Sequence, residues 1–183
     1  MYRAIPLLLA IFGVSSVQSE EWQSVPGESQ LQFITVFEGM EVPGEFQRFT
    51  VNFADEGPDT QAYLRVHVDI TSADMYSDEL NEGIADPEWF GFQQFPSALF
   101  QSRSIIPQGG ENFEARGTLQ IKDSSQELSL NFQRITGDSV LVIKGETLLK
   151  RLDFNIGIGA WADDDSIGQS VRVKFDVQLL PKP

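Results

Sequence analysis

His67 is the one histidine of this 183-residue sequence, and there is no cysteine. It lies between Arg65 and Asp69, on the polar side of an alternating apolar and polar segment. No Gly-x-Ser-x-Gly motif is present to supply a serine nucleophile. We therefore interpret His67 as a half-exposed strand residue. The composition excludes disulfide frameworks, thiol catalysis, cysteine-bound zinc, iron–sulfur clusters and histidine-rich metal sites.

Acidic and glycine-rich stretches are the remaining candidates for chemistry. The run 163–165 (Asp-Asp-Asp) follows Trp161, and carboxylate oxygens bind calcium, but the ligand spacing of an EF-hand is missing. We expect a solvated turn there. The 27 acidic residues include close pairs such as a glycosidase uses, yet no spacing singles out two of them. Gly157-Ile158-Gly159 lacks the third glycine of a dinucleotide-binding loop. We expect no catalytic residue, no metal and no cofactor.

Charge and size narrow the class of protein. The chain carries 13 basic and 27 acidic residues, for a formal net charge of −14. Such a chain is repelled by phosphate backbones and by anionic lipid surfaces, so we expect no nucleic-acid binding. Its length and its 41% hydrophobic content support one domain with a substantial core.

The first 19 residues have the features of a signal peptide. Arg3 supplies a positive start, residues 4–14 form an apolar run, and Val17 and Ser19 are small residues at the positions that flank a cleavage site. The run is too short to span a bilayer, which takes about 20 residues. We predict that residues 1–19 are removed and that residues 20–183 form the exported domain.

The exported part alternates with period two, which indicates strands that have one buried and one wet face. In residues 62–70, for example, Leu64, Val66 and Val68 alternate with Arg65 and His67. Similar segments occur at 31–37, 49–53, 113–122, 128–133 and 171–179, separated by turn residues, so we predict an all-β, antiparallel domain of eight or nine strands. The acidic segment 74–92 breaks the rhythm and predicts one or two short helical turns. Periodicity alone leaves a solid sandwich and a hollow barrel as alternatives.

An ordered set of motifs supplies a resemblance. The motifs are Trp22-x-x-Val25-Pro26-x-x-Ser29-x-Leu31-x-Phe33, Gly44-x-Phe46-x-x-Phe49, Trp89-Phe90, Phe95-Pro96-Ser97-Ala98-x-Phe100-x-Ser102, Gly117-x-Leu119-x-Ile121-Lys122 and Arg151-x-Asp153-Phe154-x-Ile156. In this order and spacing the sequence resembles the YceI-like family of lipocalin-like, polyisoprenoid-binding proteins exported to the bacterial periplasm. It departs from the family at Val25-Pro26, Glu28-Ser29 and Asp123, where the family usually has Asp-Pro, His-Ser and glycine.

The resemblance implies an antiparallel, eight-stranded, lipocalin-like barrel with a short helical insertion near residues 74–92. It also implies a periplasmic, non-enzymatic protein whose apolar tunnel holds a long isoprenoid lipid, such as an isoprenoid quinone. The tunnel wall is then expected to include Phe33, Phe53, Leu64, Val66, Val68, Phe100, Phe113, Leu119, Phe132, Phe154, Trp161 and Phe175.

Two other functions are kept as alternatives. One is a non-catalytic module that docks on a membrane redox protein through the acidic segment 74–92. The other is a hydrolase that uses a pair of carboxylates. For the lipid-binding function we also expect transient contact with a membrane or a membrane protein, and a homodimer is a further possible state.

Overall fold

The computed structural model describes residues 20–55, 61–162 and 165–182. The predicted signal peptide and the acidic residues Asp163 and Asp164 lie outside this part of the chain. The strand segments of the described residues are β1 (Glu21–Ser24), β2 (Gln30–Phe37), β3 (Met40–Phe46), β4 (Phe49–Ala54), β5 (Tyr63–Asp69), β6 (Ala73–Asp74), β7 (Ser97–Gly109), β8 (Asn112–Ile121), β9 (Ser124–Thr136), β10 (Leu141–Lys150) and β11 (Ser170–Pro181). One α-helix, α1 (Asp78–Ala85), and three short 3-10 helices, η1 (Ile70–Ser72), η2 (Arg151–Phe154) and η3 (Gly159–Ala162), lie between them.

These segments form a closed antiparallel barrel. The hydrogen-bonded order is β1-β4-β5-β7-β8-β9-β10-β11, and β11 pairs again with β1 to close the circle. Because β1 pairs with β4 and β2 pairs with β3, the first four segments are two long strands, each interrupted once. The barrel therefore has eight long strands, which confirms the predicted lipocalin-like architecture and excludes the sandwich.

The alternation of the sequence determines which side chains face the interior. On β5, Leu64 and Val68 are 2% and 9% exposed, whereas Arg65 and His67 between them are exposed. On β8, Leu119 is buried and Gln120 is exposed. Successive side chains of a strand point to opposite faces, so closing the sheet brings the apolar faces into a main core and a smaller neighbouring cluster, out of contact with water.

Gly44 shows how tightly one part of this core is packed. It pairs directly with Phe33 across β2 and β3, and those two residues share the inner face. A Cβ atom at Gly44 would overlap the ring of Phe33. The Phe33 ring instead lies over the bare glycine backbone and packs against Phe46, with the ring centroids 5.0 Å apart.

The acidic segment 74–92 contains the one α-helix of the described residues, as predicted. Ser77 caps α1 by accepting a hydrogen bond from the Leu80 amide, and Asp78 and Glu79 in the first turn favour the helix N-terminus. Ile84 is the buried residue of this helix and packs with Phe33 and Met75. No helix in the described ranges is both long enough and apolar enough to cross a bilayer.

Candidate functional site

Ten of the twelve predicted wall residues come together on the inner face. Seven of them are 9% exposed or less, and three are half-buried and pack against the same core. The buried seven are Phe53, Leu64, Val68, Phe100, Leu119, Phe132 and Phe154, and the half-buried three are Val66, Phe113 and Phe175. The barrel thus forms a continuous apolar inner surface from residues that lie far apart in the sequence.

The inner side chains also contact one another. Phe113 and Phe132 stack with their ring centroids 5.7 Å apart, for example. A lipid chain that enters between such packed rings must therefore displace them. Phe, Leu and Val change rotamer without breaking a hydrogen bond, so the inner face can serve both as a core and as a candidate wall.

Phe33 and Trp161 are not part of this main core, although Phe33 also faces inward. Phe33 is 6% exposed and belongs to a neighbouring cluster with Met75 and Ile84. Trp161 lies in η3, outside the strands, and is 41% exposed. Its ring packs on Trp89 with the centroids 5.8 Å apart. Trp161 does not lie in an alternating apolar and polar segment. The sequence pattern therefore carried no information on whether its side chain faces the interior.

Arg151 organises the segment that carries Trp161, a role that sequence reasoning missed. Its guanidinium is buried, with the residue 2% exposed, and donates to five backbone carbonyls. These carbonyls belong to Ile156 (3.1 Å), Gly157 (2.5 Å), Trp161 (2.6 Å), Ile167 (3.1 Å) and Gly168 (3.1 Å). A guanidinium has five N–H donors, so this one side chain holds residues 156–162 and residues 167–168 over one end of the barrel. The Arg-x-Asp-Phe motif was its one signal in the sequence.

Lys122 ties a second segment to the same end of the barrel. Its Nζ donates to the carbonyls of Pro87 (3.1 Å), Trp89 (2.9 Å) and Asn155 (2.8 Å). Burial lowers the pKa of Lys122. The backbone amide of Gly157 adds a hydrogen bond of 2.8 Å to the Glu88 carbonyl. Residues 86–95 and 151–162 are thereby joined across this end, which we call the helical end.

The opposite end of the barrel is lined by large side chains. Trp22, Leu141 and Leu179 are 7%, 2% and 0% exposed there. Arg134 pairs with Asp55, and its guanidinium carbon lies 4.8 Å from the centre of the Phe113 ring. Packing therefore covers both ends.

A groove of about 560 Å³ lies across the outside of β2, β11, β10, β9 and β8. It has mixed polar and apolar lining, with carboxamides, two lysines, two carboxylates and three phenylalanines. Its lining residues are Gln30, Gln32, Gln108, Asn112, Phe113, Asn131, Phe132, Gln133, Lys144, Gly145, Glu146, Lys174, Phe175 and Asp176. Phe113, Phe132 and Phe175 are also predicted wall residues, so this groove, which we call the outer groove, reaches the inner face.

A smaller cavity of about 260 Å³ lies where the first two long strands are interrupted, and it includes His67, Arg48 and Asp69. Arg48 Nε donates to Asp69 Oδ2 at 2.9 Å, and the Thr71 hydroxyl donates to Asp69 Oδ1 at 2.6 Å. The Thr71 hydrogen bond, and then Arg48, hold the pKa of Asp69 below its ordinary value. A lowered pKa keeps Asp69 ionised and paired, so this cavity resembles a structural junction more than a reactive site.

The acidic residues of the described ranges give no support to hydrolysis. The pKa values of Asp69, Asp74 and Glu114 are shifted, and each is lowered by hydrogen bonds that stabilise the carboxylate. A general acid needs the opposite shift. In the described part of the chain, no group of three or more acidic or histidine side chains is placed to hold a metal ion.

The comparison with known families follows this geometry. A sequence profile of the YceI-like domain matches residues 22–179, which is most of the chain and runs from Trp22 in β1 to Leu179 in β11. The chain belongs to the YceI-like family. The YceI-like family is a family of binding proteins. No match was found among proteins with curated functions.

Solved structures share the YceI-like fold. BcnA of Burkholderia cenocepacia is 22% identical, with a TM-score of 0.80 over 85% of this chain and 98% of that one. A polyisoprenoid binding domain from Saccharophagus degradans, implicated in plant cell wall breakdown, is 16% identical, with a TM-score of 0.70 over 88% and 98%. The Campylobacter jejuni YCEI protein is 17% identical, with a TM-score of 0.67 over 78% and 86%. At these identities the likeness concerns the fold.

Proposed function

We propose that this YceI-like protein is a periplasmic carrier or store of a long isoprenoid lipid, such as an isoprenoid quinone. The observation that carries the proposal is the closed barrel whose inner face gathers ten apolar side chains from six strands and η2. The family match and the polyisoprenoid binding domain among the structural neighbours support the same ligand class.

The energetics favour reversible binding. Removing a five-carbon isoprene unit from water is worth about 4 kcal/mol, at about 0.8 kcal/mol per carbon. The relevant competitor is the bilayer, where the chain is already out of water, so this apolar term nearly cancels. What remains is the difference between packing against the inner face and packing among lipid tails, less the cost of ordering the chain. A small net preference suits pick-up and delivery.

The direct test is the chemical content of the purified protein. Protein exported with its own signal peptide is extracted with organic solvent, and the extract is analysed by mass spectrometry. We expect a prenyl lipid in an amount proportional to the amount of protein extracted. A clean extract, together with no uptake of ubiquinone-10 from phosphatidylcholine vesicles, contradicts the proposal.

Periplasmic localisation has its own test. Cleavage after Ser19 leaves Glu20 as the first residue of the exported protein. We expect this N-terminus on protein released from the periplasm by osmotic shock. Retention of residues 1–19 on protein in the cytoplasmic fraction contradicts the localisation without contradicting lipid binding.

The acidic surface of α1 favours a second candidate, the module that docks on a membrane redox protein. Asp78, Glu79 and Glu82 lie on α1, where Leu80 is 41% exposed, and Tyr76 just before the helix is 61% exposed. Exposed apolar side chains ringed by like charges are typical of a steered, reversible contact.

The docking candidate predicts salt-sensitive binding to membrane vesicles that contain the respiratory chain. Binding is expected to weaken between low and high salt, and Glu79→Lys with Glu82→Lys is expected to abolish it. Glu127→Lys, on the outer face of β9, is the control. Unchanged binding of the α1 variant contradicts the docking function. The homodimer and the transient membrane contact stay predictions, which sedimentation and vesicle flotation measure.

A further inference from the structure

Strands β9 and β10 pair over part of their length and diverge over the rest. They pair over five residues each, from Leu141 with Thr136 to Gly145 with Phe132. Beyond that point, residues 146–150 of β10 pair with β11, and residues 124–131 of β9 pair with β8, but the two sets do not pair with each other. Beyond the paired residues, the facing edges of β9 and β10 therefore border a seam. This seam can open without breaking backbone hydrogen bonds between the two strands.

The seam has apolar walls and is spanned by side-chain contacts. Leu128, Leu130 and Leu149 are buried or half-buried along it and belong to or pack against the main core. η2 crosses its wide end, where Gln126 Nε2 donates to the Asp153 carbonyl at 3.2 Å and Asn155 Nδ2 donates to Ser124 Oγ at 3.1 Å. Side-chain bonds of this kind exchange with water more easily than a paired strand opens.

The outer groove lies at the apex of the seam. Its lining includes the last residues that pair, Phe132 and Gly145, and the first residues beyond them, Asn131 and Glu146. A Cβ atom at Gly145 would lie 2.5 Å from the Asn131 carbonyl oxygen and 2.8 Å from Cζ of Phe175, so the β9 backbone and that ring both border the apex. The Phe175 ring is the side chain that lies between the groove and the inner face at this point.

The polar side chains of the outer groove form a row across five strands. Directly opposite neighbours in this row are Gln30, Asp176, Lys144, Gln133 and Asn112. Lys174 and Glu146 stand opposite each other beside it. Two lysines thus meet two carboxylates. None of the six ion pairs found in the described ranges uses these four charges. The groove offers many hydrogen-bond donors and acceptors at a net charge of zero.

We propose that the outer groove holds the uncharged polar head group of the lipid and that the β9–β10 seam is the side passage through which its chain enters. The proposal rests on the proposed function. Both barrel ends are covered, by the Arg151 and Lys122 contacts at the helical end and by Trp22, Leu141 and Leu179 at the other. The seam is where the inner face is reached without removing those contacts.

The passage is tested by clamping it. The sequence has no cysteine, so an introduced pair reacts alone. Gln126→Cys with Asp153→Cys, joined by a short bismaleimide, fixes η2 to β9 across the wide end of the seam. The matched control is Arg103→Cys with Glu127→Cys, at an exposed ion pair that joins β7 to β9 on the side away from the seam. Both proteins are loaded with ubiquinone-10 before cross-linking, and transfer to phosphatidylcholine vesicles is followed.

The clamped seam is expected to slow ubiquinone-10 transfer about tenfold or more, with the control unchanged. Equal transfer rates for the two cross-linked proteins overturn the side passage, while binding by the parent protein stands. Failure of the uncross-linked parent to load ubiquinone-10 contradicts the proposed function itself and removes the basis of this inference.

The head-group assignment is tested by unbalancing the charges. The parent is expected to prefer ubiquinone-10 over undecaprenyl phosphate. Glu146→Gln with Asp176→Asn leaves two lysines unmatched and is expected to shift the preference about tenfold toward the phosphate. Asp123→Asn with Asp138→Asn makes the same charge change in exposed turns and serves as the control. A parent that prefers the phosphate, or an unshifted preference in the groove variant, overturns the assignment.

Discussion

The Arg151 guanidinium donates a hydrogen bond of 2.6 Å to the carbonyl of Trp161, and this contact holds the tryptophan ring outside the barrel. The ring packs on Trp89 at an interplanar angle of 52°, and the Trp89 carbonyl accepts a hydrogen bond from Lys122. One buried cation and one half-buried cation therefore join two loops at the helical end. At this end the loops that cover the barrel are held by hydrogen bonds from Arg151 and Lys122 to backbone carbonyls, not by further strand pairing.

Arg151→Met is expected to destabilise the protein by roughly 3 kcal/mol or more, because several buried carbonyls lose their donor and desolvated acceptors are costly. Urea unfolding measures the change, and near-UV circular dichroism is expected to lose the signal of the packed Trp89–Trp161 pair. Arg172→Met is the matched control: its ion pair with Glu41 is exposed, so the loss stays within about 1 kcal/mol. Equal losses for both variants contradict the anchoring role.

Leu119→Asp places a charge on the inner face, where the native residue is 9% exposed. We expect either no folding or a large loss of both stability and lipid uptake. Leu119→Ala keeps the fold measurable and is expected to cost about 2–5 kcal/mol in urea unfolding. Gln120→Asp, one residue further on the outer face, provides the comparison. A stable, lipid-binding Leu119→Asp protein shows that β8 does not present this residue to the interior.

Gly44→Ala forces the Phe33 ring out of its place, since the added methyl would occupy the space of the ring. The expected cost is about 1–3 kcal/mol. Combining it with Phe33→Leu removes the conflict, so the double variant is expected to lose less than the sum of the two single changes. Thermal unfolding of all four proteins gives this coupling. If the stability losses of the two single variants add up to that of the double variant, the claim that Gly44 is needed to make room for the Phe33 ring is contradicted.

Acid sensitivity is expected at Asp69, whose pKa is lowered by the Thr71 hydroxyl and by Arg48. The unfolded chain then binds a proton at a higher pH than the folded one. The stabilisation is complete above the ordinary carboxyl range, near pH 4, and is lost as the pH falls through the lowered pKa of the folded state. The stability difference between the parent and Asp69→Asn therefore shrinks from about pH 5 downward. Thr71→Val is expected to reduce the same difference, and a pH-independent difference contradicts this account.

The strands and their inner faces were predictable because successive side chains of a strand point to opposite faces. A strand with one buried and one wet face therefore alternates apolar and polar residues with period two. Leu64, Val68 and Leu119 were placed correctly by that signal. The helical insertion was predictable from the acidic break at residues 74–92. Trp161 could not be placed in the same way, since its position depends on Arg151, and an isolated arginine in a sequence carries no sign that five carbonyls will surround it.

By itself, the sequence determined an all-β chain of eight or nine strands with apolar faces, no cysteine nucleophile and no metal-binding cluster of histidine or cysteine, because residue type and alternation are local properties. Periodicity left barrel and sandwich open, and the family resemblance implied the barrel that the tertiary structure shows. The tertiary structure alone decided that β9 and β10 part at Gly145 and that a balanced polar groove lies over the gap. Closure and separation depend on pairings between residues far apart in the chain, and nothing in the local pattern records which edges meet.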